Sequence, residues 1–180
     1  VPVLNMIQLT RDAVIADRPG IRSVGVLAST AVLTTRLYAE PFAASAVDVI
    51  QPSARLQDRL MAAIREAKAG RCGQATAAAL CTAANELADA GAESIIVACT
   101  ELSLVAEAVR TDVRLYDSAQ VLAETIVSKV KGRKGPPTTE NPTMRHAGVH
   151  ISDARPSEPC PVGMALRDLV DIQHNQQGPT

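Results

Sequence analysis

Ser94-Ile95-Ile96-Val97-Ala98-Cys99-Thr100-Glu101-Leu102 is the stretch whose reading decides the fold of this chain. An apolar run of strand length stops at a cysteine, and the residues that follow can open a helix. The pattern predicts a strand over 95–99, apolar on both faces as parallel strands covered by helices are. In an open parallel sheet, ligands collect beyond the carboxyl ends of the strands, where a thiol also meets the positive end of the next helix. Strand context alone favours a buried structural cysteine; the neighbouring segments shift the weight toward a site.

Working outward, 23–28 (Ser-Val-Gly-Val-Leu-Ala) reads as a second buried strand, with Ser29-Thr30 starting a helical segment that runs to Phe42. Residues 47–50 form a further strand ended by Gln51-Pro52-Ser53, after which Leu56, Leu60, Ile64 and Ala67 repeat along one helical face until Gly70. A second apolar stripe, Ala77, Leu80, Cys81, Ala84, Leu87 and Ala88, predicts a helix over 74–90 stopped by Gly91. Cys81 is thereby core filling. Downstream, 102–109 reads as a short helix and 113–116 as an alternating strand. Asp117-Ser118 caps a last helix through Leu122, Ile126 and Val130. Upstream, 1–5 is expected as a short strand, followed by Met6, Leu9, Ala13 and Val14 at helical spacing until Pro19-Gly20. Strands alternating with helices predict α/β layers.

Composition narrows the function classes. The chain has 180 residues, 47% of them apolar, enough for one domain with a sizeable core. Aromatic residues are 2% and the formal net charge is -1, so stacking platforms and basic surfaces for nucleic acid are lacking, and a small soluble ligand is the expected partner. No apolar stretch approaches a membrane span and no signal region opens the chain, which points to a cytoplasmic protein without nucleic-acid or membrane partners. Cys72, Cys81, Cys99 and Cys160 show no Cys-x-x-Cys spacing, so reduced thiols are expected and no metal site. After Gly132, Pro136, Pro137, Pro142, Pro156, Pro159 and Pro161 crowd a polar tail, 133–180, expected to be mostly disordered with a short helix over 164–172. His146, His150, Cys160 and His174 are too irregularly spaced for a zinc site. The opening Val1-Pro2-Val3-Leu4 reads as the later portion of a longer protein.

Three motifs in order, 26–38 (Val-Leu-Ala-Ser-Thr-Ala-Val-Leu-Thr-Thr-Arg-Leu-Tyr), Lys68-Ala69-Gly70 and Ala98-Cys99-Thr100-Glu101, resemble the second half of the aspartate/glutamate racemase family. The resemblance covers about residues 1–131. It implies an α/β fold with a doubly wound parallel sheet, in which a domain at 21–110 is the second of two similar domains. Segments 1–17 and 112–132 are then remnants of an incomplete first domain. It also implies a PLP-independent, cofactor-free amino-acid racemase with the substrate between the domains and a cysteine on each side. Inverting a stereocentre by proton transfer needs a base on one face of the α-carbon and an acid on the other, which two opposed thiols supply.

Carried onto this chain, the resemblance makes Cys99 the second-domain acid/base and Thr100 a carboxylate contact. Thr30 and Thr35 are further hydroxyl donors, and Lys68 is the cation for an acidic substrate's side chain. The substrate is then an amino acid or dicarboxylic acid, and a homodimer is an admissible assembly. Two departures stand out. The family's Thr-Gly-Thr and Ser-Gly-x-Tyr read here Thr30-Ala31-Val32 and Thr35-Arg36-Leu37-Tyr38, and no counterpart of the first-domain cysteine occurs, so the chain alone is expected to be inactive. A one-cysteine decarboxylase or cis-trans isomerase of the same superfamily, or a non-catalytic small-acid-binding module, are the alternatives.

Overall fold

The computed structural model describes residues 3–132. The tail, its expected 164–172 helix and the group His146, His150, Cys160 and His174 lie outside the described residues. Four parallel strands, β1 (Ser23–Leu27), β2 (Asp48–Ile50), β3 (Ser94–Val97) and β4 (Arg114–Asp117), form one sheet in the order β2-β1-β3-β4. Between them run α1 (Met6–Asp17), α2 (Thr30–Thr34), α3 (Ala39–Ala43), α4 (Ala54–Lys68), α5 (Gln74–Asp89), α6 (Thr100–Ser103) and α7 (Ser118–Val130). The α/β layers expected from the alternation are present, and the sheet is the doubly wound parallel one that the resemblance implies.

Strand pleating sorts the core into two layers. Ile95 and Val97 join Leu60, Leu80 and Leu87 of α4 and α5 on one face, while Ile96 and Ala98 join Val14, Phe42 and Tyr116 on the other. The stripe on α4 buries Leu56, Leu60, Ile64 and Ala67 as its spacing predicts, and Cys81 is buried in the α5 stripe. The flanks pack on the same sheet. Tyr116 donates its hydroxyl to Asp17 at 2.6 Å, Arg114 pairs with Asp17 at 2.8 Å, and Tyr38 donates to Ser118 at 2.9 Å.

Three local expectations are corrected. Residues 3–5 form no strand: the Asn5 side chain accepts from the backbone N–H groups of Ile7 and Gln8, which commits the chain to entering α1. The segment from Ser29 to Phe42 is two short helices, and 102–109 splits into the end of α6 and a 3-10 turn at Ala106–Ala108. The first split occurs at Arg36, which sits at φ 55, in the left-handed region. This is the position where the resembled pattern has glycine. A side chain there costs about 1–2 kcal/mol, and Arg36 is exposed, so Arg36→Gly removes strain without removing packing. Chemical denaturation should find the Arg36→Gly chain about 1 kcal/mol more stable, an offset reduced by glycine's greater unfolded entropy.

Strand order creates the place for a site. The chain leaves β1 to one side to form β2, then returns through α4 and α5 to the other side to form β3. The loops after β1 and β3 therefore diverge, leaving an opening at the carboxyl ends of the two central strands.

Candidate active site at the β1–β3 rim

The last rung between the central strands is the Ala98 N–H donating to Leu27 O at 2.8 Å. Beyond it, one strand leads into Ser29-Thr30 and α2, and the other into Cys99-Thr100 and α6. Helix α4 runs past both exits. Gln57 and Met61 meet Thr30 near its start, and Lys68 meets Glu101 at its end. Eleven residues separate Gln57 from Lys68, about three helical turns, so all three share one face of α4.

Cys99 lies two residues past the end of β3, in extended conformation (φ -151, ψ 123), and is half-buried. Its thiol donates to Glu101 Oε2 at 3.0 Å. The same carboxylate accepts from Thr100 Oγ1 at 3.2 Å and faces Lys68 Nζ at 3.7 Å. Glu101 thus gathers Cys99, Thr100 and Lys68 around one anion. Lys68 is 63% exposed, so that contact contributes little to stability.

The electrostatics differ from the expectation of a thiol lowered by the helix end. Burial pushes the Cys99 thiol above its ordinary value and the hydrogen bond to Glu101 adds to it, while the backbone N–H groups of Glu101 and Leu102 pull in the other direction without prevailing. Helix α6 has four residues and a correspondingly small dipole. Glu101 is held below the usual carboxylate range, first by the Cys99 hydrogen bond and further by Lys68. The resting pair is therefore a protonated thiol on an ionised carboxylate, an acid with a proton acceptor beside it.

A pH profile follows from the sign of that shift. Thiolate forms only above the raised pKa, so alkylation of Cys99 by iodoacetamide, read by peptide mass spectrometry, should begin at higher pH than for a free cysteine. Glu101→Gln takes away the anionic acceptor and leaves the burial, so the profile should move to lower pH, with faster labelling at neutral pH. An unmoved profile would mean that Glu101 does not govern the thiol.

The other sequence-derived candidates are placed less uniformly. Thr30 is exposed at the rim, its hydroxyl oxygen accepting from Gln57 Nε2 at 3.2 Å. Thr35 is exposed at the end of α2 with its hydroxyl donating to Ala31 O at 2.6 Å, the usual bond of a threonine to its own helix. Thr100 is exposed beside Cys99. Sequence reasoning left Gln57 unremarked and gave Glu101 no role beyond its place in the Cys-Thr-Glu motif. The signal for Gln57 was a polar residue adjoining the apolar stripe Leu56, Leu60 and Ile64, where a buried position demands partners.

Ser103 adds support, since its hydroxyl lies 3.2 Å from Cys99 O and 2.8 Å from Asp117 Oδ1, and Asp117 caps α7. The cysteine turn is thereby tied to the next strand end. A small pocket between α2, α3 and the β1–β2 edge, lined by Val26, Val32, Leu33, Arg36, Val49 and Gln51 among others, holds no thiol. Among the described residues no group of three or more His, Cys, Asp or Glu side chains is arranged to hold a metal ion.

A turn of Cys-Thr-Glu at the switch point of a 2-1-3-4 parallel sheet is the geometry on which comparison with known proteins bears. A family model described as Asp/Glu/Hydantoin racemase matches residues 1–126. The chain belongs to the Asp/Glu/hydantoin racemase family. Among solved structures, it is similar to an aspartate racemase homologue from Pyrococcus horikoshii OT3, with 21% identity and a TM-score of 0.60, covering 73% of this chain and 57% of that one. It is also similar to the Picrophilus torridus aspartate racemase, with 20% identity and a TM-score of 0.58, covering 73% of this chain and 53% of that one. Both likenesses are of fold. The chain spans little more than half the length of these racemase-family structures. No helix among the described residues is long and apolar enough to cross a membrane.

Proposed function

We propose that this chain carries one side of the active centre of a cofactor-independent racemase acting on an acidic amino acid. Cys99 is the acid/base on one face of the α-carbon. Glu101 receives the thiol proton when Cys99 must act as base and returns it when Cys99 acts as acid. The observation that carries this reading is the 3.0 Å contact between Cys99 and Glu101 at the rim between β1 and β3. A thiol held protonated becomes a base only if an acceptor takes its proton, and the neighbouring carboxylate is placed to do so.

The remaining roles follow from charge. As the α-proton departs, negative charge moves onto the substrate carboxylate, and hydroxyl donors at Thr30 and, once its hydroxyl leaves Glu101, at Thr100 stabilise it without burying an unpaired charge. Lys68 is the cation for the second carboxylate of an aspartate- or glutamate-like substrate, and a substrate carboxylate there would compete with Glu101 for it. Thr35 belongs to this set only if its hydroxyl leaves Ala31. A second acid/base on the opposite face comes, in this reading, from the first of the two racemase domains. In this reading, residues 21–110 are the second domain, and 1–17 and 112–132 are remnants of the first. We place the enzyme in the cytoplasm.

Incubating the intact enzyme with D- or L-aspartate and D- or L-glutamate in deuterated water, followed by proton NMR, tests the reading. Deuterium at the α-carbon with both carboxylates retained is the expected result. Release of carbon dioxide would replace racemisation by decarboxylation, and binding without exchange would leave a small-acid-binding module.

A further inference from the structure

We propose that Gln57 is a positioning residue that turns the Thr30 hydroxyl outward as a hydrogen-bond donor to an anionic ligand. The inference deepens the reading of the site given above and rests on it. Gln57 is only 9% exposed, and its amide nitrogen Nε2 donates to Ala28 O at 3.0 Å and to Thr30 Oγ1 at 3.2 Å. A carbonyl oxygen only accepts, so the Ala28 contact fixes which end of the amide faces the β1 exit. An amide NH2 only donates, so Thr30 Oγ1 is the acceptor in the second contact and keeps its own proton for another partner. Among the described residues that proton has no acceptor, and Thr30 is exposed. The backbone N–H of Thr30 is taken up by Met61 Sδ at 3.3 Å. The hydroxyl is the donor this residue has left.

Two further observations point to the donor half of Gln57 as the reason for its presence. Its other atom, Oε1, is buried without a hydrogen-bond partner. An orphaned buried amide oxygen is destabilising, and a methionine of similar length at this position would avoid it. The nearby threonines supply the contrast. Thr34 and Thr35 both return their hydroxyl protons to carbonyls of α2, at 3.0 Å to Thr30 O and 2.6 Å to Ala31 O. Thr30 is the first residue of α2 and has no preceding helical turn to bond to, so a fixed donor from α4 settles the direction of its hydroxyl.

The test is a double-mutant cycle on the full chain, with ¹⁵N-labelled protein titrated with L-aspartate, D-aspartate and succinate and affinities read from backbone shifts. Thr30→Val should weaken binding roughly tenfold, as expected for a lost hydrogen bond to a charged group. Gln57→Met should weaken it about three- to tenfold on the same basis, yet have no further effect in the Thr30→Val background. Thr30→Ser should restore the dependence on Gln57. A role of Gln57 confined to folding would weaken binding equally in both backgrounds, which overturns the proposal, as does a Gln57→Met chain that binds like wild type. Should Gln57→Met fail to fold, Gln57→Glu, which replaces the donors with acceptors and draws the Thr30 proton inward, takes its place with a larger expected loss. A wild-type chain that binds none of the three acids overturns the reading of the site and this inference together. Wild-type binding with additive variants overturns the inference alone.

Discussion

On the proposed mechanism, Cys99→Ala in the intact protein is expected to slow racemisation in both directions by about a thousandfold, within the range contributed by a placed general acid or base. The two directions must fall together, because a racemase works on an equilibrium constant of one. Proton exchange behaves differently. With one thiol gone, the opposite base still removes the α-proton of the enantiomer it faces, so that enantiomer should take up solvent deuterium without inverting, while the other should not exchange. Polarimetry gives the first result and proton NMR in deuterated water the second. Undiminished exchange from both enantiomers would remove Cys99 from the chemistry. Glu101→Gln should lower the rate as well, and in both directions together, since the amide cannot accept the proton that Cys99 must give up when it acts as base.

The largest effect on stability is expected at Gly25, at the centre of β1. A Cβ at this position would stand 2.8 Å from Ile95 Cδ1 and 2.9 Å from both Leu87 Cβ and Leu87 Cδ1. The Ile95 terminus can rotate away, but Leu87 Cβ is anchored to the backbone of α5, so the helix must lift from the sheet. Overpacking of this kind costs about 1–3 kcal/mol for a few added atoms and occasionally more. For Gly25→Val, with a branched side chain against α5, about 3 kcal/mol is expected, a large share of the roughly 5–15 kcal/mol that holds a domain folded. Thermal unfolding followed by circular dichroism should show a midpoint lower by about 10 °C or more. An unchanged midpoint would mean that α5 sits more loosely on the sheet than the contacts of Leu87 indicate.

The architecture was legible because its signals are collective. Stripes such as Leu56, Leu60, Ile64 and Ala67 repeat over several turns, and Ser94 to Val97 is apolar throughout, so no single residue decides the outcome. What escaped sequence reading depends on one residue each. A single side-chain cap at Asn5 outweighs the strand character of Val3 and Leu4, and a single left-handed residue at Arg36 divides a helical stretch in two. The rim position of Cys99, just past the end of β3, was legible from where an apolar run stops. Its electrostatic state was not, because the balance between burial, the Glu101 carboxylate and a four-residue helix is a matter of distances. Gln57 was hidden for a related reason: its partners, Ala28 and Thr30, lie 29 and 27 residues away in sequence. Thr35 shows the converse, a residue type suited to ligand binding whose hydroxyl is satisfied locally.

Helix α4 carries Gln57, Met61 and Lys68 on one face past the exits of both central strands. Those three side chains are mounted on a single stiff rod, so tilting it by a few degrees displaces the contacts at Thr30 and at Glu101 in concert. Changes at Leu60 or Ile64, the neighbouring side chains that seat that rod on the sheet, would shift both contacts together without altering Gln57, Met61 or Lys68.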